Sequence, residues 1–199
     1  MAKKVKRQGK IKRVTKETSI QLTCVMDGSG KSRIDTGVPF FDHMLTLLAK
    51  HSLMDLDIVA QGDLEVDQHH TVEDVGLALG EALVKALGNK AGISRYGYAY
   101  VPMDETLGRV VLDLSGRTYL ELRASLSRRK CGDFPLQLIE EFLRALANTV
   151  GMNLHVEILY GRDAHHMAEA IFKALAKALD MACRVDPRVK GLPTTKGKL

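Results

Sequence analysis

Residues 67–74 read DQHHTVED, and a run with helical apolar periodicity follows them as far as Leu87. A helix turns by about 100° per residue, so His69, His70 and Glu73 fall within roughly one quarter of its circumference. The apolar residues form a stripe that points largely away from that arc: Val72, Val75, Leu79, Ala82, Leu83 and Ala86. Imidazole and carboxylate groups are the usual ligands of a divalent transition metal where thiolates are absent. The stretch therefore predicts a helix that presents metal ligands on its polar side.

The same pattern occurs a second time, because residues 165–169 read HHMAE. Four apolar residues again lie on the opposite side of this helix: Ile171, Phe172, Leu175 and Leu179. A single histidine cluster can cap a helix or sit in a satisfied core, and the repetition favours metal binding instead. Since adjacent histidines diverge on a helix, His69 and His70 serve different ions, or one of them is structural. The simplest site holds two metals with approximate twofold symmetry, and its ligands come from both repeats, within one chain or across a subunit contact.

Both halves of the chain have the same predicted order of elements. In the first half these are an extended segment 11–26, a turn 27–30, a short returning strand 33–36, a helix 39–51, a strand 54–60 and the first histidine helix, which ends near residue 88. In the second half they are a strand 110–114, a turn 115–117, a strand 119–122, a helix 136–147, a strand 152–158 and the second histidine helix. Glu17 and Glu105, each followed by a threonine, correspond to one another. Internal duplication is the economical explanation.

The duplication defines the predicted fold class. Each half has a small sheet and two helices with apolar stripes, and the compact solution places both helices on one face of the sheet and packs the halves together. We predict an α+β fold of two similar half-domains, residues 10–95 and 96–188. A basic tail (1–9) precedes them, and a C-terminal tail (189–199) follows.

Composition narrows the class of protein. A chain of 199 residues with 45% hydrophobic content can bury a full core, and no run of eighteen apolar residues predicts a membrane helix. The basic N-terminus lacks the apolar stretch of a secretory signal. The three cysteines (Cys24, Cys131 and Cys183) are widely spaced and form no CxxC pair, which is typical of a reducing compartment, so we expect a cytoplasmic protein. A net charge of +5 suits nucleic acid or a small anionic substrate. The absence of Trp and the 5% aromatic content give little support to base stacking.

Three further residues are candidates for the site. His43 lies on the helix that precedes the first histidine helix, and its counterpart in the second half is Glu141. Both side chains can bind a metal, although a helix glutamate can equally be a solvated surface charge. His51 follows the end of the first helix and is either a cap or a substrate contact.

Five motifs together resemble one known family. They are FDHML (41–45), DQHHTVED (67–74), SRYG (94–97), HHMAE (165–169) and PTTKG (193–197). Together they resemble the imidazoleglycerol-phosphate dehydratase family over nearly the whole chain after the basic tail. The resemblance implies duplicated half-domains similar to the second domain of ribosomal protein S5. It also implies dehydration of D-erythro-imidazole glycerol phosphate to imidazole acetol phosphate in histidine biosynthesis, manganese as cofactor with two ions per active site, and a homo-oligomer of twenty-four subunits with active sites at subunit contacts.

The resemblance also assigns roles to residues. The implied metal ligands are His43, His69, His70, Glu73, Glu141, His165, His166 and Glu169, and many relatives have His where this chain has Glu141. The implied substrate-binding residues are Glu17, His43, His51, His69, Glu73, Arg95, Arg117, His165, Lys173, Thr195, Lys196 and Gly197, which makes residues 189–199 a substrate-binding tail. Because metal occupies Glu73 and Glu169, proton transfer needs a free carboxylate, and Glu17 is the predicted acid/base residue.

Two other functions compete with this one. A two-metal hydrolase, in which a bridging hydroxide attacks a small phosphorylated substrate, would use the same ligand types. From a different class, the basic tail and the S5-like topology suit a nucleic-acid-binding protein, which would have steeply salt-dependent affinity and no metal requirement. We expect neither nucleic acid nor a membrane among the partners.

Overall fold

The computed structural model of the protein describes residues 7–127 and 129–197. Over these residues the strands are β1 (Gln8–Val14), β2 (Thr18–Val25), β3 (Ser32–Asp35), β4 (Asp55–Gly62), β5 (Tyr96–Met103), β6 (Thr106–Asp113), β7 (Tyr119–Arg123), β8 (Lys130–Cys131), β9 (Phe134–Pro135) and β10 (Asn153–Tyr160). The helices are α1 (Pro39–Ser52), α2 (His69–Leu87), α3 (Leu138–Val150) and α4 (Ala164–Cys183). Within the described ranges, no helix is long and apolar enough to cross a membrane.

Two four-stranded sheets with the same topology confirm the predicted duplication. The strand order is β1-β2-β4-β3 in the first sheet and β5-β6-β10-β7 in the second. In each sheet three strands are antiparallel, and the fourth, β3 or β7, runs parallel to its neighbour. The short strands β8 and β9 form a separate hairpin between β7 and α3. The fold is therefore α+β with duplicated half-domains, as predicted.

Alternation of side chains gives each sheet one buried face. In β2, Ile20, Leu22 and Cys24 are buried, whereas Ser19 and Gln21, which alternate with them, are exposed. Because successive side chains of a strand point to opposite faces, this pattern turns the apolar set toward the helices and leaves the other face to solvent.

The four helices lie between the two sheets and pair across the halves. Helices α1 and α2 contact the first sheet, and α3 and α4 contact the second. Helix α1 packs against α4, and α2 packs against α3, so one hydrophobic core spans both halves. This cross-pairing matters for the site, because it brings side chains from different halves together.

Two glycines let the histidine helices lie directly on the edge strands. A Cβ added to Gly9 of β1 would overlap the carbonyl oxygen of Ala82 in α2. At the equivalent place in the second half, a Cβ on Gly97 of β5 would overlap the carbonyl oxygen of Ala178 in α4. The close approach is therefore a duplicated feature of the fold, and it fixes the depth of both histidine helices.

Several predicted elements differ from the observed ones. The extended segment 11–26 is two strands, because the Thr15 hydroxyl accepts hydrogen bonds from the N–H groups of Glu17 and Thr18 and turns the chain. Strand β3 does not return beside β2; it pairs in parallel with β4. Strand β5 was not predicted, since Gly97, Ala99 and Val101 on its inner side are too small to give a strong apolar alternation.

The ends of the chain were predicted as tails. Strand β1 begins at Gln8, which pairs with Val25, so the first sheet extends into the segment 1–9 predicted as a basic tail. Residues 1–6 lie outside the described residues, as do 198 and 199 at the other end. The C-terminal segment is tied to the body by a hydrogen bond from the Gly92 N–H to the Gly191 carbonyl, 2.8 Å long.

Candidate active site

The two histidine pairs stand at the N-termini of equivalent helices. Asp163 caps α4 and accepts hydrogen bonds from the backbone N–H groups of His165 (2.8 Å) and His166 (3.0 Å). Asp67 accepts a bond of 2.7 Å from the N–H of His69 at the start of α2. Carboxylate acceptors at these positions satisfy free N–H groups of a first helical turn. They fix the backbone from which the imidazoles project.

One cluster of three ligand-type groups forms where α1 meets α4. His43 Nε2 lies 2.9 Å from Glu169 Oε1, and His165 Nε2 lies 3.0 Å from the same oxygen. The three side chains offer ligand atoms within 4.8 Å of one another. His43 comes from the first half of the chain and the other two residues from the second. The cross-pairing of helices therefore creates a group that neither half contains alone.

Glu169 is buried and charged in this cluster. Its side chain is only 9% exposed, and Lys173 Nζ lies 2.6 Å from its second oxygen. Burial alone would raise the pKa of the carboxyl, but hydrogen bonds from Lys173, His43 and His165 outweigh it and lower the pKa to about 2. The group is thus an anion with convergent imidazoles, which is the donor chemistry of a divalent metal site.

The residues of the first histidine helix that correspond to this cluster are less tightly grouped. His69 Nε2 lies 3.6 Å from Glu73 Oε2, and both residues are half-buried. Glu141, the counterpart of His43, lies on α3 and is half-buried. Among the described residues, none forms a hydrogen bond or ion pair with its side chain. The structure thus brings together two of the three residues predicted here.

His70 and His166 point in other directions from their neighbours. The rings of His69 and His70 meet at 89°, and those of His165 and His166 at 86°. The divergence agrees with the expectation that adjacent histidines cannot share one ion.

Carboxylates surround both of these imidazoles. His70 lies between Asp63, 3.0 Å from Nδ1, and Glu17, 3.8 Å from Nε2. His166 lies between Glu105, 2.7 Å from Nδ1, and Asp104, 3.8 Å from Nε2.

These contacts raise the pKa of both imidazoles. The hydrogen bond to Asp63 raises the pKa of His70, and the bond to Glu105 raises that of His166. The pKa of Glu105 is held far below its ordinary value, chiefly by the backbone N–H of Asp163 and then by His166 and the N–H of Arg162. Glu105 is therefore a fixed anion. Glu17 lies in the turn between β1 and β2, and its side chain is 53% exposed.

Two predicted substrate contacts lie near the buried cluster. Lys173 is half-buried beside Glu169 and also donates to the Met103 sulfur at 3.2 Å. His51 is half-buried near the end of α1, where burial and the positive charges of Lys173 and Lys177 lower its pKa. Lys173 therefore contacts the cluster directly, and its positive charge acts on the His51 imidazole.

The remaining predicted contacts lie elsewhere on the chain. Arg95 makes two hydrogen bonds to Asp113 (2.7 and 3.0 Å) and donates to the Pro193 carbonyl at 2.8 Å, so it holds the C-terminal segment. Three residues of that segment are exposed: Thr195, Lys196 and Gly197. Arg117 is exposed in the turn before β7. The structure of the single chain does not bring these residues to the cluster.

A cavity of about 670 Å³ opens beside the cluster, a size that suits a small molecule. His43, His165 and Phe40 line it together with the β8–β9 hairpin. Gln68 also lines it, and its side-chain oxygen is buried without a partner in the described part of the chain. A second cavity of about 670 Å³, beside Leu53 and Cys183, has no histidine in its lining.

Sequence reasoning missed three of these features. The sequence pattern marks Asp63 only as the end of a strand, and it indicates no role for Gln68 or for the β8–β9 hairpin. The one available signal was position, since Gln68 directly precedes the histidine pair.

The fold and this site define a class of protein: two fused copies of one α+β unit, with a histidine–carboxylate cluster where helices of the two copies meet. The imidazoleglycerol-phosphate dehydratase family matches residues 36–179. The chain belongs to this family.

Relatives and solved structures agree over nearly the full length. Imidazoleglycerol-phosphate dehydratase of Akkermansia muciniphila is 58% identical, covering 97% of this chain and 100% of the relative, and that of Geobacter metallireducens is 53% identical, covering 97% and 99%. The crystal structure of the Staphylococcus aureus dehydratase matches with a TM-score of 0.81 and 41% identity over 90% of this chain and 99% of that one. The structure from Pyrococcus furiosus matches with a TM-score of 0.82 and 36% identity over 95% and 100%.

Family membership decides between the functions that the sequence left open. The chain is a hydro-lyase that dehydrates imidazole glycerol phosphate in histidine biosynthesis, and its substrate carries a phosphate. This activity takes the place of the two alternative hypotheses, a two-metal hydrolase and a nucleic-acid-binding protein.

Proposed function

We propose that the dehydration depends on manganese bound by the predicted histidines and carboxylates, with two ions per active site. The observation that carries the proposal is the meeting of His43, His165 and Glu169 within 4.8 Å. These donors fit the ion in type, because imidazole nitrogen and ionised carboxylate oxygen converge and no thiolate belongs to the cluster. The choice of manganese among divalent metals rests on the family resemblance.

The second ion would be held by the residues at the equivalent positions, which are His69 and Glu73 of the first half and Glu141 of the second. His70 and His166 diverge from their neighbours on the same helices, so we assign them to centres completed by adjacent copies of the chain. This assignment supports a homo-oligomer, for which the resemblance implies twenty-four subunits.

Glu17 is the residue assigned to proton transfer. A metal bound at the site supplies Lewis-acid stabilisation of charge on the imidazole ring of the substrate. Glu17 is an exposed carboxylate that no metal ligand role occupies, and it lies 3.8 Å from an imidazole of the site. A general base needs such freedom together with closeness to the reacting carbon.

Phosphate recognition is assigned to cations around the site. Lys173 is already beside the cluster, whereas Arg117, Lys196, Thr195 and Gly197 are exposed and would be brought to it by a neighbouring copy. Arg95 supports this function through the C-terminal segment, which its guanidinium holds at the Pro193 carbonyl. Ammonium and guanidinium groups form the strong charge-assisted bonds that phosphate requires.

We place the enzyme in the cytoplasm, where a reducing environment suits its three free cysteines.

Removal of metal tests the proposal. A strong chelator should abolish formation of the ketone product, and manganese should restore it. Release of inorganic phosphate, measured in the same samples, should stay at background. A hydrolase would instead release phosphate and form no ketone. Full activity in chelated protein that contains no detectable metal would refute the metal requirement.

A further inference from the structure

Glu105 holds the His166 ring at its Nδ1 nitrogen. Its Oε2 lies 2.7 Å from Nδ1 of His166. Its Oε1 accepts hydrogen bonds from the backbone N–H groups of Arg162 (3.1 Å) and Asp163 (2.9 Å). Glu105 therefore ties the imidazole to the loop that starts α4.

Asp63 holds His70 in the same way from a different part of the fold. Its two oxygens lie 3.2 and 3.0 Å from Nδ1 of His70. Asp63 stands in the loop between β4 and α2, whereas Glu105 stands in the turn between β5 and β6. The two repeats thus reach the same contact by different routes.

An ionised carboxylate can only accept a hydrogen bond, so Nδ1 of each ring must donate. A neutral imidazole with the proton on Nδ1 presents a free lone pair on Nε2, which is the atom a metal needs. The other nitrogen of each ring is Nε2, and the carboxylate oxygen beside it, on Glu17 or Asp104, is 3.8 Å away, which is beyond hydrogen-bond distance.

We propose that Asp63 and Glu105 are positioning residues, which fix the tautomer and the orientation of His70 and His166 so that each presents Nε2 to a metal ion. This inference rests on the proposed manganese site. A partner at the second nitrogen of a ligand histidine typically changes metal affinity by about 10- to 100-fold.

The difference between the repeats has a structural origin. In the first half, the Thr18 hydroxyl bonds Asp74, a buried residue of α2 that also pairs with Arg13. The position of Asp74 is occupied by Ala170 in α4, so the equivalent Thr106 hydroxyl bonds Glu105 instead, at 2.9 Å. Glu105 is thereby drawn into the structure, whereas Glu17 stays exposed.

The test measures manganese binding to the full-length protein after chelation, with free manganese followed by its electron paramagnetic resonance signal. Asp63→Ala and Glu105→Ala should each weaken binding by about 10- to 100-fold. Asp63→Asn should recover most of this loss, because one amide oxygen suffices to accept from His70. Glu105→Gln should not, because a single amide oxygen cannot serve both the backbone N–H groups and His166.

Asp55→Asn is the matched control. Asp55 also accepts two backbone N–H bonds, from Ser29 and Lys31, but contacts no histidine. Its variant should bind manganese as the unmodified chain does, even where its melting temperature falls. In a His166→Ala background, Glu105→Ala should cause no further loss.

Three outcomes would overturn the inference. The first is normal manganese affinity in both alanine variants, and the second is an equal loss from Glu105→Ala whether or not His166 is present. The third is failure of the unmodified chain to bind manganese, which would overturn the proposed metal site as well and is therefore distinguishable from the other two.

Discussion

Glu17 and Glu105 occupy equivalent positions in the two repeats and have opposite surroundings. Glu105 is bound by a histidine, a hydroxyl and two backbone N–H groups, whereas Glu17 is exposed and has one imidazole 3.8 Å away. This difference is why we assign proton exchange with the substrate to Glu17 and not to Glu105.

Replacement of Glu17 by Gln should therefore lower turnover without disturbing the site. Gln keeps the shape of Glu but cannot accept a proton, so we expect kcat to fall by about 10²- to 10⁴-fold with metal content and KM little changed. Glu65→Gln, an exposed carboxylate in the loop before α2, changes the net charge equally and should leave kcat unaltered. Near-normal turnover of Glu17→Gln would make Glu17 a surface charge and move attention to Asp104.

Glu169 should make the metal-free protein sensitive to acid. Its pKa is lowered from 4.5 to about 2, so its ion pairs stabilise the folded state above pH 4.5 and are lost as the pH falls toward 2. A shift of this size corresponds to roughly 3 kcal/mol. In chelated protein, the difference in unfolding free energy between the unmodified chain and Glu169→Gln should shrink between pH 5 and pH 2. A difference that is constant over this range would contradict the lowered pKa.

At the scale of elements, the histidine helices lie on the edge strands because Gly9 and Gly97 allow the contact. Gly97→Ala would force α4 away from β5 and should destabilise the protein by about 1–3 kcal/mol or more, as overpacking does. Denaturant unfolding of the chelated protein would measure the loss. Gly9→Ala should give a similar value, since Ala82 meets Gly9 as Ala178 meets Gly97. An unchanged stability in either variant would show that the helix can shift at no cost.

The sequence predicts elements well where apolar periodicity is strong and poorly where it is weak. Both histidine helices and strands such as β4 were expected close to their observed bounds, because large apolar residues repeat at the helical or strand period. Strand β5 escaped prediction because its buried side consists of small residues. Sequence spacing does not predict which carboxylate contacts His70 or His166. That contact depends on loop conformation and on a difference between the repeats, since α4 has Ala170 where α2 has Asp74.

At the scale of the whole molecule, the proposed roles of His70 and His166 predict that assembly and metal binding depend on each other. If His70 and His166 complete centres in neighbouring copies, bound metal joins subunits and its removal should reduce the mass of the particle. Light scattering with and without chelator measures this directly. His166→Ala should lower the mass even with manganese present. An unchanged mass in chelated protein would show that no metal centre is shared.

The pairing of α1 with α4, and of α2 with α3, also bears on how the two centres can change. A single half could form such a centre only by pairing with another half, and two identical halves would make two identical centres. Joined in one chain, the copies are free to diverge, and they have done so. Glu141 stands where the other centre has His43, and Leu77 stands where the other has Lys173. One subunit thus carries two equivalent sets of candidate ligands with unequal composition, and if each set binds a metal ion as proposed, each centre can be tuned to its own task.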